Sequence, residues 1–245
     1  MKRFGLFILL LSLIVACSGE QTNLEIQGKV QGLKKGTIFL QKIEDTTLVT
    51  IDSVIIKGNE NFTFKTFIES PQVMYLYLNK KDNSNYNDRI LFFAEPGKMI
   101  VNTTLKNFEG DVVVEGSENQ KKLMEYEAMM QRFNTRNLEL IQKNIEAQQL
   151  EDNETLDSTN KEFESLIKRR YLYTVNFALN NNDREIAPYL AISEIFDANL
   201  KYLDTIYSSL TPEIKESYYG KSLEEFLEER REMEKSNSTS SNQES

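Results

Sequence analysis

The sequence predicts an α+β fold, with an N-terminal antiparallel β-sandwich or open barrel followed by a C-terminal helical hairpin or bundle. Three observations lead there. Between residues 24 and 116, apolar side chains recur with a period of two in short runs separated by turn residues. After Gly116 the apolar period lengthens to about 3.6. Beyond that point Gly and Pro almost disappear, which favours long helices over turn-rich strands.

In the first strand Leu24, Ile26, Gly28 and Val30 share one side, with charged or amide residues between them, the pattern of a half-buried strand. Comparable runs recur at 37–43, 48–56, 62–68, 73–78, 90–93, 99–105 and 112–115. Turn chemistry lies between them: 32–36, Gly58-Asn59, Ser70-Pro71, 82–85, Pro96-Gly97 and 109–111. Eight short strands at this spacing point to a sandwich or an open barrel.

In residues 117–150, Leu123, Tyr126, Met130, Phe133 and Leu140 form an amphipathic stripe. Ser117 suits an N-cap, with Gln120 three residues on as in a capping box. A second stripe, Phe163, Leu166, Ile167, Arg170, Tyr173 and Phe177, follows the acidic break 151–154. The two helices are expected to pair antiparallel. The run 180–183 stops the second, and shorter helices follow around 187–200. Thr211-Pro212 reads as a cap with Pro at the first helical position. A charged helix spans about 223–233, and 236–245, polar throughout, is expected to be a disordered tail.

The N-terminus carries its own message. Lys2 and Arg3 precede an apolar run to Val15 that is short for a membrane span, and Ala16 precedes Cys17. These are the parts of an export signal. Ile14-Val15-Ala16-Cys17 resembles the lipobox of bacterial lipoproteins, which implies cleavage before Cys17 and acylation of its thiol and amine. The expected organisation is a signal peptide at 1–16, a lipidated tether at 17–23, a β domain at 24–116, a helical region at 117–235 and the tail at 236–245.

Composition excludes several chemistries. The chain has no histidine and a single cysteine. With Cys17 acylated, no disulfide, redox pair or thiolate metal site remains, and His-dependent triads and zinc helices are ruled out. Loss of Lys2 and Arg3 moves the formal charge of −9 by two, to −11. Such an acidic chain lacks the basic face that nucleic acid requires. No cofactor is expected.

Weaker candidates have structural explanations. Lys168-Arg169-Arg170 is the one basic cluster, with Glu164 placed for an ion pair to Lys168. The acidic pairs Glu44-Asp45, Glu151-Asp152 and Glu224-Glu225 read as solvated surface rather than acid/base pairs. Asp82, Asn83, Asn85 and Asp88 read as a turn rather than a calcium loop. Tyr171, Tyr173, Tyr189, Tyr202, Tyr207, Tyr218 and Tyr219 read as core before binding groove.

Several phrases carry a family resemblance. They are 26–33, 36–40, Asp52-Ser53-Val54, Phe62-Thr63-Phe64, 68–71 and 92–97, with Ala187-Pro188-Tyr189 and 217–221 further on. The chain resembles Bacteroidetes lipoproteins with an N-terminal DUF4369 domain ahead of a thioredoxin-like reductase of the TlpA type. The Trp-Cys-x-x-Cys motif of those relatives has no counterpart here, so reductase activity does not carry over. The resemblance implies an outer-membrane destination in a didermal bacterium. Four tripeptides beginning at Asp45, Asp52, Asp157 and Asp204 also resemble that phylum's O-glycosylation signal.

The resulting expectation is a non-catalytic, lipid-anchored envelope protein that acts as a binding or interaction module. The alternatives are an accessory partner, in trans, of a thioredoxin-like reductase, and a hydrolase built from carboxylates alone.

Overall fold

The computed structural model describes residues 21–44, 47–80 and 88–241. Eight strands come first: β1 (Leu24–Gln31), β2 (Lys35–Glu44), β3 (Thr47–Lys57), β4 (Asn61–Thr66), β5 (Gln72–Asn79), β6 (Asp88–Ala94), β7 (Gly97–Thr104) and β8 (Val113–Glu115). Six helices follow: α1 (Glu118–Gln149), α2 (Asn153–Leu179), α3 (Ile186–Glu194), α4 (Leu200–Ser209), α5 (Pro212–Lys215) and α6 (Tyr218–Ser241).

The strands form two four-stranded sheets, ordered β4-β1-β7-β8 and β3-β2-β5-β6. The β region is therefore a sandwich and not a closed barrel. Pairing is antiparallel except between β1 and β7, which run in parallel with Leu24 opposite Gly97 and Gln31 opposite Thr104. Strand alternation builds the core between the sheets. Leu24, Ile26, Phe62, Phe64, Met99 and Val101 from one sheet meet Ile38, Leu40, Met74, Leu76, Ile90 and Phe92 from the other. Gly28 faces this core because Phe62 and Val101 lie opposite it. A Cβ there would overlap the Phe62 ring and the Val101 carbonyl.

The outer face of the second sheet is also apolar, which explains why β6 reads as an unbroken hydrophobic run. Phe92 points into the sandwich while Phe93 and Val73 point outward, against Leu123, Tyr126, Met130, Ile186, Leu190 and Tyr219. A third cluster holds the helices together through Val175, Ala178, Ala191, Leu203, Ile206 and Leu223.

Helices α1 and α2 form the expected antiparallel hairpin. Partners descend on one helix as they ascend on the other: Tyr126 with Thr174 at 2.9 Å, Arg136 with Glu162 at 2.5 Å and Asn144 with Thr159 at 2.8 Å. In the α2 stripe Leu166 is buried but Ile167 is 55% exposed. Over this length α2 packs on α1 along a narrow seam, and Val175 and Ala178 take the buried positions nearer the helical core.

One helix boundary and one capping pattern differ from the sequence reading. The last helix runs from Tyr218 to Ser241, rather than 223–233, so the expected tail begins as helix. No Gly or Pro follows Gly220 to stop it. The capping box at Ser117 is half formed: Ser117 Oγ accepts the Gln120 N–H at 2.9 Å. The Gln120 side chain instead accepts the Phe93 N–H at 2.7 Å, satisfying a backbone donor on an edge strand.

Candidate functional site

The sandwich and the helices meet along a groove. Its largest part, about 740 Å³, is lined by Glu69, Ser70 and Pro96 from the strand side and by Glu185, Glu213 and Tyr218 from the helical side. Two smaller clefts, of about 470 and 310 Å³, continue it past Tyr218 toward Ile43, Phe67 and Tyr75. Tyr218 lines all three.

Each wall is held by polar groups that join the two halves. Glu95, in the turn between β6 and β7, accepts on one oxygen from Ser117 Oγ at 2.9 Å, Asn119 N at 2.6 Å and Asn119 Nδ2 at 2.7 Å. Asn119 Oδ1 in turn accepts the Ile186 N–H at 2.9 Å. The N-termini of α1 and α3 are thus tied to one turn of the sandwich, where a carboxylate also complements the helix dipole.

Glu185, only 2% exposed, precedes α3. Its Oε2 lies 2.7 Å from the Ser217 hydroxyl, which is also 2.7 Å from the Ile214 carbonyl and accepts the Gly220 N–H at 3.2 Å. Ser217 has one proton and cannot donate to both oxygens. With Glu185 charged, Ser217 donates to it; with Glu185 neutral, the carboxyl O–H donates to Ser217 and Ser217 donates to Ile214. Burial pushes the Glu185 carboxyl up to about 7, against the opposing Ser217 hydrogen bond, and Glu213 and Glu95 push in the same direction as burial.

The floor is aromatic. Phe93 meets Tyr189 edge-on at 5.6 Å and Tyr219 at 5.9 Å; Tyr219 lies 5.1 Å from Tyr189 and 5.0 Å from Tyr218. The chain of rings runs from fully buried Phe93 to Tyr218, which is 43% exposed. Burial raises Tyr189 to about 12 and raises Tyr219 further, so both stay neutral hydroxyls. At Gly220 a Cβ would overlap the Ile214 carbonyl oxygen, so the glycine lets α6 start against α5.

The residues singled out from sequence fall in different places. Cys17 and the signal lie outside the described residues, as do Asp45, Asp82, Asn83 and Asn85. Asp88 is ion-paired with Lys80. Among the described residues no group of three or more acidic, His or Cys side chains is placed to hold a metal ion. Also among them, no helix is long and apolar enough to cross a membrane.

Lys168 is not ion-paired with Glu164 among the described residues. Arg170 instead reaches Glu194 of α3 at 3.2 Å, since helix packing brings that carboxylate to it. Glu44 pairs with Lys42 at 2.7 Å. Asp152 caps α2 through Thr155 N at 3.1 Å, and Glu224 accepts from Tyr207 at 2.6 Å. Of the three acidic pairs, Glu225 lines the largest part of the groove and Glu44 the cleft beside Phe67. Of the tyrosines, Tyr219 is core while Tyr218 and Tyr202 are exposed. In the tripeptides that are fully described, the middle residues Ser53, Ser158 and Thr205 are exposed.

The sequence reading did not single out Glu185 or Glu95 as groove residues. Glu185 carried one signal, a lone acid directly before the apolar run Ile186-Ala187-Pro188. Nothing local to Glu95 announces that two helix termini converge on it.

Fold and groove define a class: a β-sandwich with a helical region docked on its outer face and a polar, aromatic-floored groove at the junction. Residues 24–123 match the family model of a domain of unknown function, DUF4369. The match takes in all eight strands and the start of α1, so the strand wall of the groove lies inside it and the wall from Glu185 to Glu225 lies beyond. No curated protein matches the chain.

Proposed function

We propose that this chain is a non-catalytic lipoprotein of the bacterial envelope, anchored to the outer membrane through Cys17, whose junctional groove binds a partner or envelope ligand. The observation that carries the reading is the groove itself. Both halves of the chain build it, and it combines an exposed aromatic, Tyr218, with several carboxylates, the convergence of apolar and polar groups typical of a binding site. The absence of histidine and the assignment of the lone cysteine to a lipid support a binding role over catalysis.

The test is capture of envelope components by the mature chain, compared with Tyr218→Ala and Glu225→Lys. Loss of capture in both variants at unchanged melting temperature supports groove binding. Equal capture by all three proteins would overturn it.

A partnership in trans with a thioredoxin-like reductase is a special case of this reading, supported by the resemblance to longer chains that carry both parts. A redox gene beside this one favours it; an isolated gene argues against it. The carboxylate-hydrolase reading is weaker. Among the described residues burial raises two carboxyls: Glu127, which lies outside the groove, and Glu185, which is only 2% exposed and engaged by Ser217, so no accessible raised carboxyl faces the groove as the general acid such a hydrolase needs.

A further inference from the structure

The point where the N-terminal segment leaves the sandwich is tightly held. Asn23 donates its N–H to Thr66 O at 3.1 Å, and its carbonyl accepts the Gly97 N–H at 2.7 Å. Its side chain donates to Ile68 O at 2.7 Å and accepts the Ile68 N–H at 2.9 Å. Both neighbours of Phe67 are therefore bonded to Asn23, while Phe67 itself is 54% exposed.

Phe67 shares a cleft of about 470 Å³ with Ile43, which is 42% exposed, and with Tyr218. Three large side chains of apolar or amphipathic character thus cluster at the exit point. From Cys17 to Asn23 is six residues, a reach of about 20 Å when fully extended. An acylated Cys17 holds this end of the sandwich at the bilayer surface.

We infer that the exit end of the sandwich, with Phe67 at its centre and Ile43 and Tyr218 beside it, is a membrane-contacting surface that seats in the headgroup region once the chain is anchored. The occupant is lipid because the tether leaves this patch no further than its own length from the bilayer. Aromatic side chains suit the interface between headgroups and acyl chains. The contact is apolar rather than electrostatic: Lys42 is paired with Glu44 at 2.7 Å and Lys65 with Glu25 at 3.6 Å. The same geometry keeps the groove mouth at Glu69 and Ser70 close to the bilayer.

This inference rests on the anchor at Cys17, and its test separates the two. The chain beginning at Cys17 has one thiol and no tryptophan, so it can be coupled to maleimide-bearing phosphatidylcholine vesicles with a single introduced reporter. Phe67→Trp reports on the exit end. Ile55→Trp, at a position 63% exposed toward the opposite end of the sandwich, serves as the control. On coupling, the Phe67→Trp emission should shift to the blue and be quenched by lipids brominated near the headgroup, with no loss in high salt, while Ile55→Trp stays solvent-like. Solvent-like emission from both reporters in fully coupled protein would overturn the inference. So would a blue shift of Phe67→Trp that rises with protein concentration without vesicles, which assigns the patch to a second copy. Because coupling is chemical, either result leaves the anchor reading to its own test, incorporation of labelled fatty acid at Cys17.

Discussion

The Tyr219 hydroxyl accepts the buried N–H of Val73 at 3.0 Å, across 146 positions of sequence. Val73 lies one residue beyond the end of the β2–β5 ladder, where β2 no longer supplies a partner, so a helix completes the bonding of a strand. Its cross-strand neighbour Phe93 is completed in the same way by Gln120. Tyr219→Phe keeps the ring contacts and removes the acceptor. An unsatisfied buried N–H costs about 1–3 kcal/mol, which a urea titration will show as a lowered midpoint with unchanged slope. An unaltered midpoint would mean the bond adds nothing net.

Glu185 makes stability depend on pH. The unfolded carboxyl titrates near 4.5 and the folded one near 7, so the folded state binds more protons between those values. Stability therefore falls as pH rises through that window and levels off above it. Glu185→Gln keeps the shape and donates an amide N–H to Ser217. It should match wild type below pH 4.5 and exceed it by up to roughly 3 kcal/mol above pH 7. Parallel unfolding curves for the two proteins at pH 4 and 8 would contradict this account.

At Gly220 the added methyl of Gly220→Ala collides with the Ile214 carbonyl. Relief requires α5 and α6 to separate, at a cost of about 1–3 kcal/mol. Faster amide exchange at Ser217 to Lys221, with the sandwich strands unaffected, is the expected signature.

The helices cover an apolar sheet face. A fragment of residues 21–123 retains every strand but uncovers Val73, Tyr75, Leu91 and Phe93. It should bind a hydrophobic dye and self-associate, unlike the full chain. A monomeric, dye-silent fragment would show that the sandwich is stable without its helical cover.

Under the proposed lipoprotein reading, Cys17→Ser removes the thiol that carries the lipid. Incorporation of labelled fatty acid should vanish in that variant, and the chain should move from the membrane to the soluble fraction.

Most of the secondary structure was legible because its signals are local. All eight strands alternate or run apolar between turn residues, and the Ser117 and Thr211 caps sit where the sequence places them, whereas Asp152, read only as part of an acidic break, caps α2. What was not legible depends on tertiary proximity. Gln120 left its capping box for Phe93, and Arg170 found Glu194 while Lys168 did not pair with Glu164. The Glu185–Ser217 contact joins residues 32 apart. The parallel β1–β7 pair was equally hidden, since alternation places side chains on faces without naming the strand alongside.

The bonds around Asn23 also decide how the fold bears mechanical load. β1 is an inner strand, hydrogen-bonded along its length to β4 on one side and β7 on the other. A pull applied through the N-terminus along the strand loads both ladders in shear, so many bonds must break together. An edge strand pulled sideways would unzip one bond at a time. Tension applied at the N-terminal end thus enters the molecule through a strand held on both sides.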